Sequence, residues 1–303
     1  MIYLGDKKLA SVNIVPVLPE MYRKICAGPN TGELRVPDEV KKLRKSALRD
    51  GQWTNIDLNN VEEFGERALY GCNQITDLKL SSKITKIGNQ AFSGMPKWQY
   101  RDYSQVKLTA NMADAQRDTY TGIIGFKFGD NTYVPSSFAH YCNTLDTNYI
   151  DLSKIVEFAS GAFSGHPDYP NDLFTHLNLS SARIIGQNAF ARRQAITEII
   201  FNPNETYTIG GSAFGFSSQA EFNKFGSKLE HLYMDKVEKI DGRAFRFQQA
   251  LKTVYIGADC TSINTRAFEG CIQDDLVITI NQPQDNIAGA PWGATNATII
   301  WNG

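Results

Sequence analysis

The chain repeats itself, and nothing else in it restricts the fold as much. VKKLRKSALRDGQWTNIDL (Val40 to Leu58) aligns with VEEFGERALYGCNQITDLKL (Val61 to Leu80) and then with ITKIGNQAFSGM (Ile84 to Met95). The shared core is an apolar residue, three polar or glycine positions, a small residue, and then Phe or Leu. Anchoring on that last position gives Leu48, Leu69, Phe92, Phe138, Phe163, Phe190, Phe214, Phe245 and Phe268, spaced 21, 23, 46, 25, 27, 24, 31 and 23 residues apart. One unit of about 23 residues cannot bury its own apolar face, so stability must come from stacking units into a solenoid with capped ends. The 46-residue gap holds either one degenerate unit or an insertion.

About eleven residues after each anchor comes a short alternating run. These runs are NIDL, DLKL, YIDL, HLNL, EIIF, HLYM and TVYI, ending at Leu58, Leu80, Leu152, Leu179, Phe201, Met234 and Ile256. Period-two alternation marks a strand with one face on the core, so each unit is expected to add one strand to a parallel sheet. The anchors would stack as a column beside a second column of small residues: Ala47, Ala68, Ala91, Ser137, Ala162, Ala189, Ala213, Ala244 and Ala267. PDEVKKLRKSALRD (Pro37 to Asp50) also reads as an amphipathic helix with a basic face, a shape suited to a membrane surface. Its register with the next two repeats favours a solvated repeat surface.

The units resemble the BspA-type leucine-rich repeats, whose pattern IGxxAFxxCxxLxxIxL is met by KIGNQAF, IIGQNAF, TIGGSAF, FGERALYGCNQITDLKL and KIDGRAFRFQQALKTVYI. The ending APWGATNATIIWNG is similar to the closing segment of such proteins, with Pro291-Trp292-Gly293 turning into a last strand at Thr298 to Trp301. The resemblance implies a leucine-rich-repeat solenoid of the α/β class that is β-rich, with one parallel strand per coil and few short helical turns. It further implies a cell-surface, secreted or phage-encoded protein that recognises or adheres to other macromolecules and does not catalyse. The expected organisation is an N-terminal strand arm or cap at 1–33, a solenoid at 34–280 with insertions near 93–137, 164–175 and 215–228, and a C-terminal cap at 281–303. In the first segment, IYLGDKKLASVNIVPV reads as two short strands around Gly5-Asp6, with Pro16 and Pro19 ending the second.

With 31 basic and 32 acidic residues the net charge is -1, so no overall field draws in nucleic acid or an anionic membrane. No apolar stretch approaches the roughly 18 residues of a membrane span, and no membrane insertion is expected. The opening MIYLGDKK lacks the pattern of a secretory signal. The compartment is open on this evidence, but synthesis in the cytoplasm with assembly into a particle, such as a phage tail or baseplate, is favoured over export to the cell surface. Five cysteines at wide spacing, Cys26, Cys72, Cys142, Cys260 and Cys271, form no CxxC pair and read as free thiols; Cys72, Cys142 and Cys271 fall three or four residues after an anchor, where a small apolar group fits the core.

Motifs for phosphate loops, dinucleotides, zinc proteases and serine hydrolases are missing, and no cofactor is expected. His176, Glu198 and His231 take equivalent outward strand positions and would meet if those strands were neighbours, which would suit a metal or acid/base site. The outward acids Asp57, Asp77, Asp151 and Glu198 invite a carboxylate-pair hydrolase reading. An ordinary polar sheet face accounts better for both sets.

Partner surfaces fall in two places. The insertions all expand between anchor and strand, so they should leave one rim of the solenoid. They carry Trp98, Tyr100, Tyr103 and Tyr120, then His166 and Tyr169, then Phe216, Phe222 and Phe225, aromatics suited to interface anchors or to packing over the coil edge. The second place is the outward strand row, Tyr149, His176, Glu198, His231, Tyr233 and Tyr255, on what should be a concave sheet. Its mix of tyrosine and charge suits a protein or glycan surface. The N-terminal arm is expected to cap the first coil or attach the protein to a particle or carrier protein.

Overall fold

The computed structural model describes residues 2–4, 7–9, 32–36, 38–112, 122–166 and 173–303. The chain is a parallel β-solenoid of about eleven turns with almost no helix, as the repeat predicts. Among the described residues the only α-helix is Gln219–Phe225, inside the third insertion, with Ser218 accepting the backbone N–H of Glu221. No helix among them is long and apolar enough to cross a membrane.

The repeat motif builds a ladder that alternation alone does not reveal. Just before each turn, pairs such as Lys42–Leu43, Glu63–Phe64 and Lys86–Ile87 form a three-stranded parallel sheet. A six-stranded sheet continues the pattern through Tyr133–Val134, Glu157–Phe158, Ile184–Ile185, Tyr207–Ile209, Val237–Ile240 and Ser262–Ile263. Among the described residues nine coils therefore add a second strand to the one expected, most often only two residues long. Where glycine follows this strand, coils approach closely: a Cβ on Gly186 would lie 2.6 Å from the carbonyl oxygen of Phe158 on the preceding coil. The turn then places a left-handed residue two positions before the anchor, as at Ser46, Arg67, Gln90, Asn188, Ser212 and Arg243. The anchor's own N–H donates to the small residue of the next coil, Leu69 to Ala91 and Phe190 to Ala213, which fixes the two columns side by side.

The anchor column is buried throughout. From Phe163 through Phe190, Phe214, Phe245 and Phe268 the rings stack nearly parallel, 5.4 to 5.6 Å between centroids. One coil departs from the expected columns. The Val134↔Phe158 register and the bond from Ala139 N–H to the Ala162 carbonyl put Ala139 in the anchor column and Phe138 in the small-residue column, one place later than the alignment has it. The left-handed Ser137 (φ 50°) stands two before Ala139, as the rule requires. The exchange is accommodated because Phe126, Phe128 and Tyr103 crowd around Phe138 and fill the space that Ala139 leaves.

The alternating runs form strands where expected at Trp53–Asp57, His176–Asn178, Glu198–Ile200, His231–Met234 and Thr253–Ile256, and the last strand is Thr298–Trp301. DLKL and YIDL do not. The former is irregular, and at the start of the latter Thr147–Tyr149 winds into a 3-10 turn in which the Asp146 carboxylate accepts the N–H of Asn148. The 46-residue gap holds a degenerate coil: Tyr100–Asp102 pairs in parallel with Gly125–Lys127, and Ala110–Met112 makes a 3-10 turn with Met112 fully buried. Residues 38–50 form turns and a two-residue strand in place of a helix. Their lysines are paired to the next coil, Lys41 to Glu62, Lys42 to Glu63 and Lys45 to Glu66 at 2.6 to 3.0 Å. Near the N-terminus Ile2–Leu4 pairs antiparallel with Lys7–Leu9, as the Gly5-Asp6 turn suggests, while Pro16, Pro19 and Cys26 lie outside the described residues. Trp292 is fully buried near the other end, its ring 6.0 Å from that of Trp301.

Candidate sheet-face groove

The alternating ladder is interrupted between Gly125–Lys127 and His176–Asn178, because the intervening coil makes the Thr147–Tyr149 turn and contributes only two isolated bridges, Phe126 to Ile150 and Asp146 to Leu173. A groove of about 550 Å³ opens at this break, lined by Tyr100, Tyr149, Lys127, Asp151, His176, Asn178, Glu198 and Ile200 over a floor that includes Phe126, Phe128, Leu152 and Ile155. Gly125 stands in register with Tyr100; a Cβ there would come 2.4 Å from that of Tyr149. Without a side chain at 125, Tyr149 closes across the gap onto Tyr100, ring centroids 6.3 Å apart in an edge-to-face contact. Both rings stay nearly half exposed, 44% for Tyr100 and 48% for Tyr149.

The polar groups of the groove are held by local bonds. Asp151 accepts the N–H of Ser153 at 2.9 Å and Asn178 that of Ser180 at 3.2 Å, the turn by which an Asx side chain carries the chain out of a strand. Asp57 and Asp102 do the same for Asn59 and Ser104. Asp57 and Asp151, two of the outward acids singled out in the sequence, thus work as strand-exit turns. Hydrogen bonds from the Ser153 hydroxyl and amide hold the Asp151 carboxyl below its ordinary range, the opposite of what a general acid needs. Lys127 is paired with Asp102 at 3.2 Å and Lys154 with Asp130 at 3.0 Å.

His176 and Glu198 are register partners, 3.7 Å apart, as their equivalent positions predict. His231 does not join them: it lies on a separate sheet, bonded to Thr253 at 2.8 Å and 3.8 Å from Glu230. The proposed trio is therefore a pair, and among the described residues no group of three or more His, Cys, Asp or Glu could hold a metal ion. Further along the same face Tyr233 and Tyr255 stack at 4.8 Å, and Tyr233 is 64% exposed.

Of the aromatics expected to form a rim on the insertions, three of the five whose side chains are described are interior. Trp98, Tyr103 and Phe216 are at most 2% exposed. Trp98 meets Phe92 edge-on at 5.7 Å and Tyr103 meets Phe138 at 5.1 Å, so these rings are core in a degenerate coil. Of that set Tyr100 alone is more than a third exposed among residues whose side chains are described. His166 is partly buried against Tyr141 at 4.7 Å. Tyr120 and Tyr169 lie outside the described residues, as do the side chains of Phe222 and Phe225. Sequence reading did not find Gly125, Lys127, Asn148 or Ile200 as groove residues. The roles of Gly125 and Lys127 depend on the register of the degenerate coil, which leaves no periodic trace. Cys72, Cys142 and Cys271 are buried as expected, and burial pushes the Cys271 thiol up to about 12.

A parallel solenoid with stacked phenylalanines and a polar, tyrosine-bearing sheet face defines a leucine-rich-repeat protein, and residues 5–113 and 140–282 match the BspA-type leucine-rich-repeat region in six copies. The chain belongs to that family. Among solved structures it is similar to the pneumococcal vaccine antigen PcpA, with 17% identity over 89% of this chain and 78% of that one and a TM-score of 0.45. It is also similar to a leucine-rich cell surface protein from Faecalibacterium prausnitzii (15% identity, 89% and 88% covered, TM-score 0.34). A leucine-rich-repeat protein from Bacteroides ovatus shows 14% identity, 89% and 74% coverage and a TM-score of 0.40. No curated protein matches the chain.

Proposed function

We propose that this chain is a non-catalytic recognition protein that binds a protein or glycan surface through the sheet-face groove. The observation that carries the reading is the Tyr100–Tyr149 pair, two half-exposed rings set against each other where the alternating ladder breaks between residues 125 and 176. Aromatic side chains that the core does not need, beside fixed polar groups, are the usual makings of a binding site. Against a hydrolase stands Asp151, bonded into a turn and held ionised.

The carrier is a separate matter from the site. A phage-like particle, joined through residues 1 to about 33, and a bacterial cell surface would each present the same groove, and neighbouring tail or baseplate genes would favour the first. The binding claim is tested by screening the immobilised protein against extracellular proteins and oligosaccharides, alongside a Tyr100→Ser/Tyr149→Ser variant. The expected result is a ligand whose binding falls about ten-fold or more in the variant, the loss of one to two aromatic contacts, at an unchanged melting temperature. Ligands that bind both proteins equally would sink the groove reading.

A further inference from the structure

We infer that the groove takes a neutral glycan, an inference that rests on the recognition reading above and narrows its ligand. Three features of the site select this chemistry. The first is size and shape: a dent of about 550 Å³ is within the range of small-molecule sites and has room for roughly two or three pyranose rings, whereas a folded protein surface needs a broad, flat contact.

The second is the pair of tyrosines. Their rings meet edge to face at 6.3 Å, both line the groove, and each is nearly half exposed. An apolar ring face carrying a hydroxyl complements a pyranose, whose axial hydrogens make one face apolar and whose rim is polar.

The third is charge. Groove cations are already engaged, Lys127 with Asp102 and Lys154 with Asp130, while Asp151 and Glu198 add negative charge. A sulfated, phosphorylated or uronic-acid polymer would face carboxylates and, among the described lining residues, no lysine without a carboxylate partner. A neutral sugar meets instead a row of groups able to bond hydroxyls: the Asp151 carboxylate, the Asn178 amide and the His176 imidazole, oriented beforehand by Ser153, Ser180 and Thr175. Preset donors and acceptors of this kind reduce the ordering cost of binding.

The test is an array of neutral hexose and N-acetylhexosamine oligosaccharides with a sulfated heparin hexasaccharide as control, followed by calorimetry on the best binder. The expected result is at least one neutral oligosaccharide bound more tightly than the heparin fragment. Tyr149→Ala and Tyr100→Ala should each weaken it by about ten-fold, while Tyr149→Phe stays within about three-fold, since the ring face carries most of the contact. Matching melting curves separate lost contact from lost fold. Tighter binding of the sulfated fragment, no neutral binder, or full affinity in both alanine variants would each overturn the inference. If an extracellular protein is lost on the Tyr100→Ser/Tyr149→Ser exchange while no neutral sugar binds, the glycan fails and the recognition reading stands.

Discussion

Phe190 lies between Phe163 and Phe214, its ring 5.6 Å from each and fully buried. Phe190→Ala should cost about 3–5 kcal/mol, measured by denaturant unfolding, because flanking coils cannot close a gap held open by two ladders. A change under about 1 kcal/mol would show that the ring is not in the stack. The anchor residues could be read because a Phe recurring at about 23 residues must point the same way in every coil. Phe138 could not: Ser137-Phe138-Ala139 fits either register, and the pairing of Val134 with Phe158 and the bond from Ala139 to Ala162 decide which side chain fills which column. Trp98 and Tyr103 misled for a related reason. Loop aromatics look like interface anchors until it is known that the loop is itself a coil, and here they are interior. Gly186→Ala tests the close approach of coils, since the added methyl would meet the backbone of the preceding coil; a loss on the order of 1–3 kcal/mol is expected.

Between elements, neighbouring coils are joined by charge as well as by backbone. Glu269 accepts from Arg266 at 2.6 Å and Arg243 at 3.2 Å, with Arg246 at 3.0 Å, and this keeps its carboxyl below its usual range. Glu63, Glu66 and Glu230 are lowered in the same way by Lys42, Lys45 and Lys252. A carboxylate whose folded pKa is depressed adds stability that is fully present above its unfolded value of 4.5 and is lost as pH falls through the folded value. Lys236 and Lys252, raised above 10.5 by Asp259 and Glu230, add stability below that value that is lost at higher pH. The melting temperature should thus stay level between about pH 5 and pH 9 and fall on either side, the alkaline limb beginning where the thiols of buried Cys260 and Cys271 ionise in the unfolded chain, with salt flattening the acid limb. Glu269→Gln should lower stability by about 1 kcal/mol and weaken the acid limb; an unchanged acid limb would show that this network is not coupled to folding. The alternating strands were legible wherever both faces had distinct surroundings. DLKL and YIDL alternate equally well but form no continuous strand pairing, YIDL making only the bridge from Ile150 to Phe126, and the two-residue ladder of the IG motif is too short to show any period.

At the scale of the whole molecule, the nearest-neighbour stacking inferred from the repeat sets both the fold and the location of the groove, which opens where one coil drops out of one ladder and stays in the other. Circular dichroism should show a β-rich spectrum; a spectrum dominated by long helix would exclude this solenoid. The general class of surface, tyrosine and polar groups on the outward strand row, could be read from Tyr149, His176 and Glu198. Its position could not, because Gly125 and Tyr100 belong to the coil hidden in the 46-residue gap. Some aromatics hold the coils together, and others face outward toward a ligand. The most direct measurement is therefore the melting temperature and ligand binding of two double variants side by side, Trp98→Ser/Tyr103→Ser and Tyr100→Ser/Tyr149→Ser. The first should melt far lower, and the second should melt as the parent does yet bind about ten-fold or more weakly. The reverse pattern, a stable Trp98/Tyr103 variant that no longer binds and a Tyr100/Tyr149 variant that binds normally, would contradict this division.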